Sequence, residues 1–492
     1  MSISAPRAGT VAIALAYLGL PNALFAAGWL SPWPCALGLI AIACTFLPTL
    51  TLHDARTAGR WPPGAKALSL LAVALVWSAL GGAGHLFHAN TDWLVRDAVL
   101  RDLVVANWPV GYTTGDAQEW VLRAPIGYYL PAAWVGKLAG ARFADPALLA
   151  WTVIGVWIFL CLATEGDATP ARVALTVSVI VLFSGMDLIG TLLAGNPVTP
   201  GTRIEWWART FQYSSNTTLL FWVPNHAVPG WIAAAIIWRQ WSRPDAVWWV
   251  PAMLALLPLW SPLTALGVLP LVAVMLAWRW ARGTFPKMPL AATLGSLVVV
   301  AGSGAYLTAQ SSRIPSVWIW QQAGVDPVSQ AIVYLLFVCL EFGILLAAIL
   351  RLEHRPVLIT AAATLLVLPL YRFGAGHDLA MRASIPSLAV FALSVAQVLP
   401  RLWLHSRPGP RAIAVTVILA IGVATPAMEI FGVLSRPRWA ADPTTNVFEA
   451  TGQAPHYVAD THGSRGLSIL GAVHALPSQK PRTRNEDEAE RR

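Results

Sequence analysis

Five charged side chains, Asp92, Arg96, Asp97, Arg101 and Asp102, crowd the segment TDWLVRDAVLRDLVV, shortly after the apolar run LSLLAVALVWSALGGAGHLF. That run is long enough to cross a bilayer, and a chain leaving a membrane needs only a few polar anchors there. A carboxylate at such a point can cap the next helix or accept a proton from a hydroxyl nucleophile. An arginine can extend its head to the interface or clamp a phosphate with two parallel hydrogen bonds. Three more polar segments carry the same residue types. NPVTPGTRIEWWARTFQYSSNTTLLFWVPNHAVPGW holds Glu205, Trp206, Trp207, Arg209, Gln212, Trp222, Asn225 and His226. SSRIPSVWIWQQAGVD adds Arg313, Trp318, Trp320 and Gln322, and YRFGAGHDLAMRAS adds Arg372, His377, Asp378 and Arg382.

The elements that must position these residues are membrane helices. The 492 residues are 56% hydrophobic and 12% charged, with a mean hydropathy of +0.59, far from the balance of an ordinary soluble domain. Apolar runs of near-spanning length fall at 10–29, 33–52, 67–87, 147–164, 172–194, 228–240, 246–261, 262–279, 289–309, 328–350, 356–371, 384–400 and 412–434. An all-α polytopic protein of about 13 transmembrane helices is therefore expected, occupying residues 1–434. LLPLWSPLTALG at the 246–279 pair can instead kink a single span. The basic loops around Arg56, Arg60 and Lys66, Arg239 and Arg243, and Arg279, Arg282 and Lys287 all fall on one side with this list, which makes that side cytoplasmic. The four polar segments and the tail 435–492 then share the outer side, although Arg436 and Arg438 just past the last span run against the rule. The net charge of +9 mostly expresses this loop asymmetry and points to anionic head groups, not nucleic acid. All four cysteines sit inside apolar runs, so neither a disulfide framework nor a CxxC metal site is indicated.

The first outer segment, 88–146, never makes a clean span. TDWLVRDAVLRDLVV places Val95, Val99 and Leu103 on one helical face and Asp97 and Arg101 on another. We expect it to lie along the interface with Asp97, Arg101 and Asp102 as its wet face. APIGYYLPAAWVGKLAGARF, with Lys137 in its middle, is expected to form a second juxtamembrane helix. The 25 tryptophans read mostly as an interfacial belt, with stacking on sugar faces as the functional reading of those inside polar loops. The tail carries Pro, Gly and Ser and ends in KPRTRNEDEAERR, so its last part is expected to be disordered.

Residues 92–130, DWLVRDAVLRDLVVANWPVGYTTGDAQEWVLRAPIGYYL, resemble the first outer loop of the GT-C glycosyltransferase superfamily, whose members use polyprenyl-phosphate sugars. The aminoarabinose-transferase and protein-mannosyltransferase branches have an acidic pair just after a span, an amphipathic helix, a W-x-x-P/Y turn and then K-P-P-L-Y-Y. Asp92 matches the first acidic position, Trp108, Pro109 and Tyr112 the turn, and Arg123, Pro125, Tyr128 and Tyr129 the last block. MRASIPSLAVFALSVA is similar to the late RYLLPxLPAL segment, which places Arg382 at the outer start of a late span. Trp93 stands where the second acid would be, Ala124–Pro125 replaces the double proline, and three spans precede the loop instead of one, making 10–52 an added hairpin.

The resemblance implies an inverting glycosyltransferase on the periplasmic or extracellular face of a cytoplasmic membrane. It would move a sugar from a polyprenyl-phosphate donor to a lipid, glycan or protein acceptor. Asp92 would be the catalytic base, with Asp97 in reserve, and Arg123, Arg382 and Arg372 would hold the donor phosphate. Trp108, Tyr128, Tyr129, Trp207, Gln212, Asn225, His226 and Asp378 would line the substrate site. Each has a plainer reading. Asp92 can cap the helix that follows, Asp97 can pair with Arg101, the arginines can snorkel, His226 can be a satisfied structural histidine, and Asp378 can belong to a turn. Some branches use a divalent cation, but no paired-carboxylate motif here demands one, and no metal ligands are assigned. Rival expectations are a transporter or flippase for lipid-linked saccharides, with charges deep in the membrane and on both faces, and a non-catalytic assembly subunit for which Asp92 is dispensable.

Overall fold

The computed structural model describes residues 8–51, 64–113, 119–241, 249–285, 288–322, 324–352, 355–374, 376–403, 409–452, 454–461 and 465–478. Arg56, Arg60, Arg243 and Lys287 of the basic loops, and the charged end of the tail, lie outside them. Helix starts follow local chemistry. Thr169–Pro170, Ser261–Pro262 and Asp326–Pro327 each pair a capping side chain that accepts from the backbone N–H three residues on with a proline at the first helical position. Proline fits there because its missing N–H would have had no partner.

Eight helical segments among the described residues are long and apolar enough to cross a membrane: Gly9–Trp29, Ala141–Thr164, Pro170–Leu193, Pro262–Ala281, Leu290–Thr308, Pro327–Ile349, Asp378–Leu402 and Pro410–Ser435. Shorter apolar helices run over Pro32–Leu47, Gly64–Leu80 and Pro356–Leu370. The protein is thus a multi-pass helical membrane protein, and among the described residues eight segments reach spanning length where about thirteen were expected. Among the described residues of the expected span 246–261 the helix is the seven-residue Val250–Leu256, about 10 Å against a hydrocarbon core of about 30 Å. The segment 172–194 breaks at 183–186 into Pro170–Leu182 and Asp187–Leu193. The backbone groups freed there are claimed by neighbours: Asn216 Nδ2 donates to the Ile180 carbonyl at 2.8 Å, Thr217 Oγ1 to that of Val181 at 2.8 Å, and the Met186 N–H to that of Leu340 at 3.1 Å. Broken helices survive in a membrane only with such substitutes.

Helix Ala144–Thr164, 21 residues and so about 30 Å long, separates two ends. At its last turn Lys66 Nζ donates to the Thr164 carbonyl at 2.7 Å and Arg239 Nη2 to that of Ala163 at 2.5 Å, so two basic segments gather there. At its first turn Asp145 meets His85, beside the charged segment 88–146.

That segment forms helices at both places where juxtamembrane helices were expected, Asp92–Val105 and Leu130–Ala139. Lys137 Nζ donates to the carbonyls of Val104, at 3.2 Å, and Ala106, capping the first helix with the second. Between them lie β1 (Val110–Thr113) and β2 (Glu119–Leu122). A two-stranded antiparallel sheet of β3 (Ser316–Trp318) and β4 (Tyr371–Phe373) joins the third and fourth polar segments. The tail corrects one expectation, the wet face of the first helix. Its strands β5 (Val458–Asp460) and β6 (His474–Pro477) complete a sheet of order β5-β2-β1-β6, so the described residues of 435–478 are largely folded onto the segment 88–146. The helix Asp92–Val105 therefore has no wet face at Asp97 or Asp102, both buried. Asp97 Oδ2 lies 3.1 Å from His85 Nε2. Asp102 accepts from Tyr112 Oη and from the Val447 N–H of the tail, both at 2.8 Å. A covered helix must satisfy its charges internally, whereas the sequence pattern assumed water above it.

Candidate functional site

A cavity of about 810 Å³ is lined by all four polar segments: Thr91 and Asp92 from the first, Arg203, Glu205, Arg209, Gln212 and Trp222 from the second, Gln322 from the third, and Arg372, His377 and Arg382 from the fourth. Glu429 of the last long helix closes it. Four guanidiniums (Arg203, Arg209, Arg372, Arg382) thus face three carboxyls (Asp92, Glu205, Glu429), a wall suited to an anionic ligand with hydroxyls.

Asp92 begins its helix, but Thr91 occupies the cap position and no side chain caps it. The capping alternative therefore does not apply. One oxygen of Asp92 accepts from Arg96 Nη2 at 3.3 Å, and the carboxylate stays half-exposed, with 44% of its side chain accessible. Arg96 itself is buried. Its Nη1 donates to Asn225 Oδ1 at 3.0 Å and Tyr129 Oη at 3.2 Å, and its Nη2 also reaches the Trp222 carbonyl. The first and second polar segments are thereby joined through one guanidinium that orients Asp92.

Arg203 is sandwiched between two indoles, its guanidinium carbon 4.0 Å from the ring centre of Trp222 and 4.7 Å from that of Trp206. Such stacking holds a cation in place without neutralising it. Arg382 pairs with Asp378 one turn earlier. Burial, reinforced by Arg372, holds His377 below the usual imidazole range, so the positive charge at the cavity at neutral pH belongs to arginines.

Behind the second segment sit further acids. Glu205 is buried, its Oε1 accepting from the Ser215 N–H at 2.8 Å and Thr218 Oγ1 at 2.7 Å, and its Oε2 from Gln212 Nε2 at 3.2 Å. Asp187, fully buried at the helix break, accepts from Ser184 Oγ at 2.9 Å and from Thr425 Oγ1, a cavity-lining hydroxyl, at 2.8 Å. Glu341 lies in the π-helical turn Cys339–Gly343 and accepts from Trp207 Nε1 at 3.4 Å. Gly185 makes the approach: a Cβ there would stand 2.1 Å from Glu341 Oε2.

Of the residues expected at the site, Asp92, Gln212, Arg372 and Arg382 line the cavity and the others do not. Arg123 is buried and donates to the carbonyls of Leu307, at 3.3 Å, and Pro455, so it grips the tail instead of facing the cavity. Asp97 is locked to His85, and Asp378 stands behind Arg382. Tyr129 and Asn225 hold Arg96, as above. Tyr128 is fully buried, its hydroxyl 2.6 Å from Thr152 Oγ1. Trp108 Nε1 donates to the Leu103 carbonyl at 2.7 Å, Trp207 packs toward Glu341, and His226 Nδ1 lies 2.6 Å from Ser261 Oγ. Arg203, Asp187 and Glu341 were not singled out in the sequence. A lone acid inside an apolar run, as in SGMDLIG and VCLEFG, is the signal that finds the last two. No protein-family model, curated protein or solved structure matches the chain.

Proposed function

We propose that the chain is a glycosyltransferase of GT-C type. It moves a sugar from a polyprenyl-phosphate-linked donor to a lipid, glycan or protein acceptor on the outer face of the cytoplasmic membrane. The observation that carries this reading is the convergence on one cavity of a half-exposed carboxylate steadied by a buried arginine and of four guanidiniums. Its volume falls in the range of small-ligand sites. Asp92 takes the proton of the acceptor hydroxyl as that oxygen attacks the anomeric carbon. The donor's carbon–oxygen bond breaks on the opposite face, and the bonding pair leaves with the phosphate. Arg203, Arg372 and Arg382 stabilise the charge that collects there. Arg96 positions Asp92 and does not touch substrate.

Asp92→Asn keeps the shape and loses the base. The variant should accumulate and fold as wild type, while transfer, read by glycan profiling in a complementation strain, falls about 10²–10⁴-fold. A fully active Asp92→Asn protein removes the assignment and favours the assembly-subunit reading. The buried acids Asp187 and Glu341 at a broken helix favour a second reading, a proton-coupled carrier of lipid-linked saccharides. Reconstituted vesicles separate the two: a carrier moves the lipid-linked sugar between leaflets without acceptor, and a transferase does not.

A further inference from the structure

Glu205 is unlike Asp92, the half-exposed carboxyl of the cavity. Asp92 has Arg96 as its ion partner, whereas Glu205 belongs to no ion pair among the described residues and is met by three neutral donors, Gln212, Ser215 and Thr218. It is 5% exposed yet lines the cavity. Two more buried acids, Asp187 and Glu341, stand behind it, and Glu429 lines the same wall. Several carboxyls in one low-dielectric pocket cannot all ionise. Three of the roughly four acceptor positions of the Glu205 carboxyl are used, two on Oε1 and one on Oε2. The remaining one, on Oε2, can carry a proton.

We propose that Glu205 presents a neutral carboxylic acid to the cavity and donates its Oε2 hydrogen to a phosphate oxygen of the bound ligand, beside the guanidinium of Arg203. This rests on the polyprenyl-phosphate reading above and deepens it. No proton is transferred: the hydrogen stays on Glu205 and the phosphate gains a neutral donor. A ligand that demands this donor binds only the protonated form. Burial, with Asp187 and Glu429 adding to it, pushes the Glu205 carboxyl up to about 8, so the donor is present at neutral pH and lost above it. The other titratable and charged groups facing the cavity are the four arginines, Asp92 with its Arg96 partner, His377, which burial holds below the usual imidazole range, and Glu429.

The test is binding of farnesyl monophosphate in detergent to the purified full-length protein, by calorimetry, from pH 7 to 9.5. The probe is already a dianion across that range, since a phosphate monoester loses its second proton near pH 6 (about). Wild-type affinity should fall about tenfold between pH 7 and pH 9, following the fraction of Glu205 that remains protonated. Glu205→Gln, whose amide keeps a donor at every pH, should bind with a flat profile, and Glu429→Gln should keep the fall but displace it to lower pH, because Glu429 helps to raise the Glu205 carboxyl. A flat wild-type profile, an unchanged slope in Glu205→Gln, or a slope abolished only by Glu429→Gln overturns the proposal and leaves the phosphate reading intact. Absence of binding by wild type at every pH overturns both.

Discussion

Arg123 separates a structural reading from the phosphate-holding role that the resemblance implies. In the fold its Nη1 and Nη2 donate to the carbonyls of Leu307 and Pro455, and its own N–H donates to the Tyr457 carbonyl at 2.7 Å. Arg123→Met keeps the buried stem and deletes the charge. Two charge-assisted hydrogen bonds at about 1.5–3 kcal/mol each are lost, and roughly 1–3 kcal/mol returns because the buried Nε, which has no partner, no longer has to be desolvated. The net cost is about 2–3 kcal/mol, and it falls on the docking of the tail, since Pro455 leads into β5. If local opening is fast relative to cleavage, the open population rises about thirty- to a hundred-and-sixtyfold. Limited proteolysis in detergent should therefore nick residues 454–478 of Arg123→Met that much faster, while farnesyl phosphate binding by uncleaved protein stays at the wild-type level. A variant with wild-type tail protection and lost phosphate binding would refute this reasoning and return Arg123 to the ligand.

Asp102→Ala strands the Tyr112 hydroxyl, the Val447 N–H and Arg101, and should cost about 3–5 kcal/mol as a broken buried charge network. Tyr112→Phe, which removes one hydrogen bond, should cost about 1 kcal/mol, and both are read as loss of tail protection against protease. His85 sits between Asp145 and Asp97, 3.1 Å from each. Burial alone would lower its pKa, but the hydrogen bonds to Asp145 and Asp97 outweigh it and push it up to about 10. A folded pKa above the unfolded one means that this stabilisation is full below about pH 6.5, as long as the carboxylates remain ionised, and is lost as pH rises through about 10. The melting deficit of His85→Gln relative to wild type should accordingly be large near pH 7 and close above pH 10; a deficit independent of pH would contradict the charged lock.

Much of the cavity's origin was legible in the sequence. Asp92, Gln212, Arg372 and Arg382 lie in segments that the positions of the basic loops placed on a common side, and those segments meet. The expected spans 172–194, 262–279 and 328–350 begin within two residues of the helix starts at Pro170, Pro262 and Pro327, because hydropathy, like capping and proline chemistry, is local. Tyr129 and Asn225 show where such reading stops. Both are polar groups in the right segments, yet each is spent on Arg96 and not on a ligand.

The sequence by itself determined the membrane class, the two helices of the segment 88–146 and the set of polar segments, because hydropathy, helical period and loop charge are local properties. Tertiary structure alone decided which charges remain open to a ligand. Asp92, Asp97 and Asp102 stand on one short helix, and nothing in their spacing says that the tail, more than 300 positions away, covers Asp102, that His85 claims Asp97, or that Arg96 leaves Asp92 half-exposed. The physical reason is that burial, not residue type, sets whether a carboxylate is a structural pin or a reactive group, and burial here comes from chain segments remote in sequence.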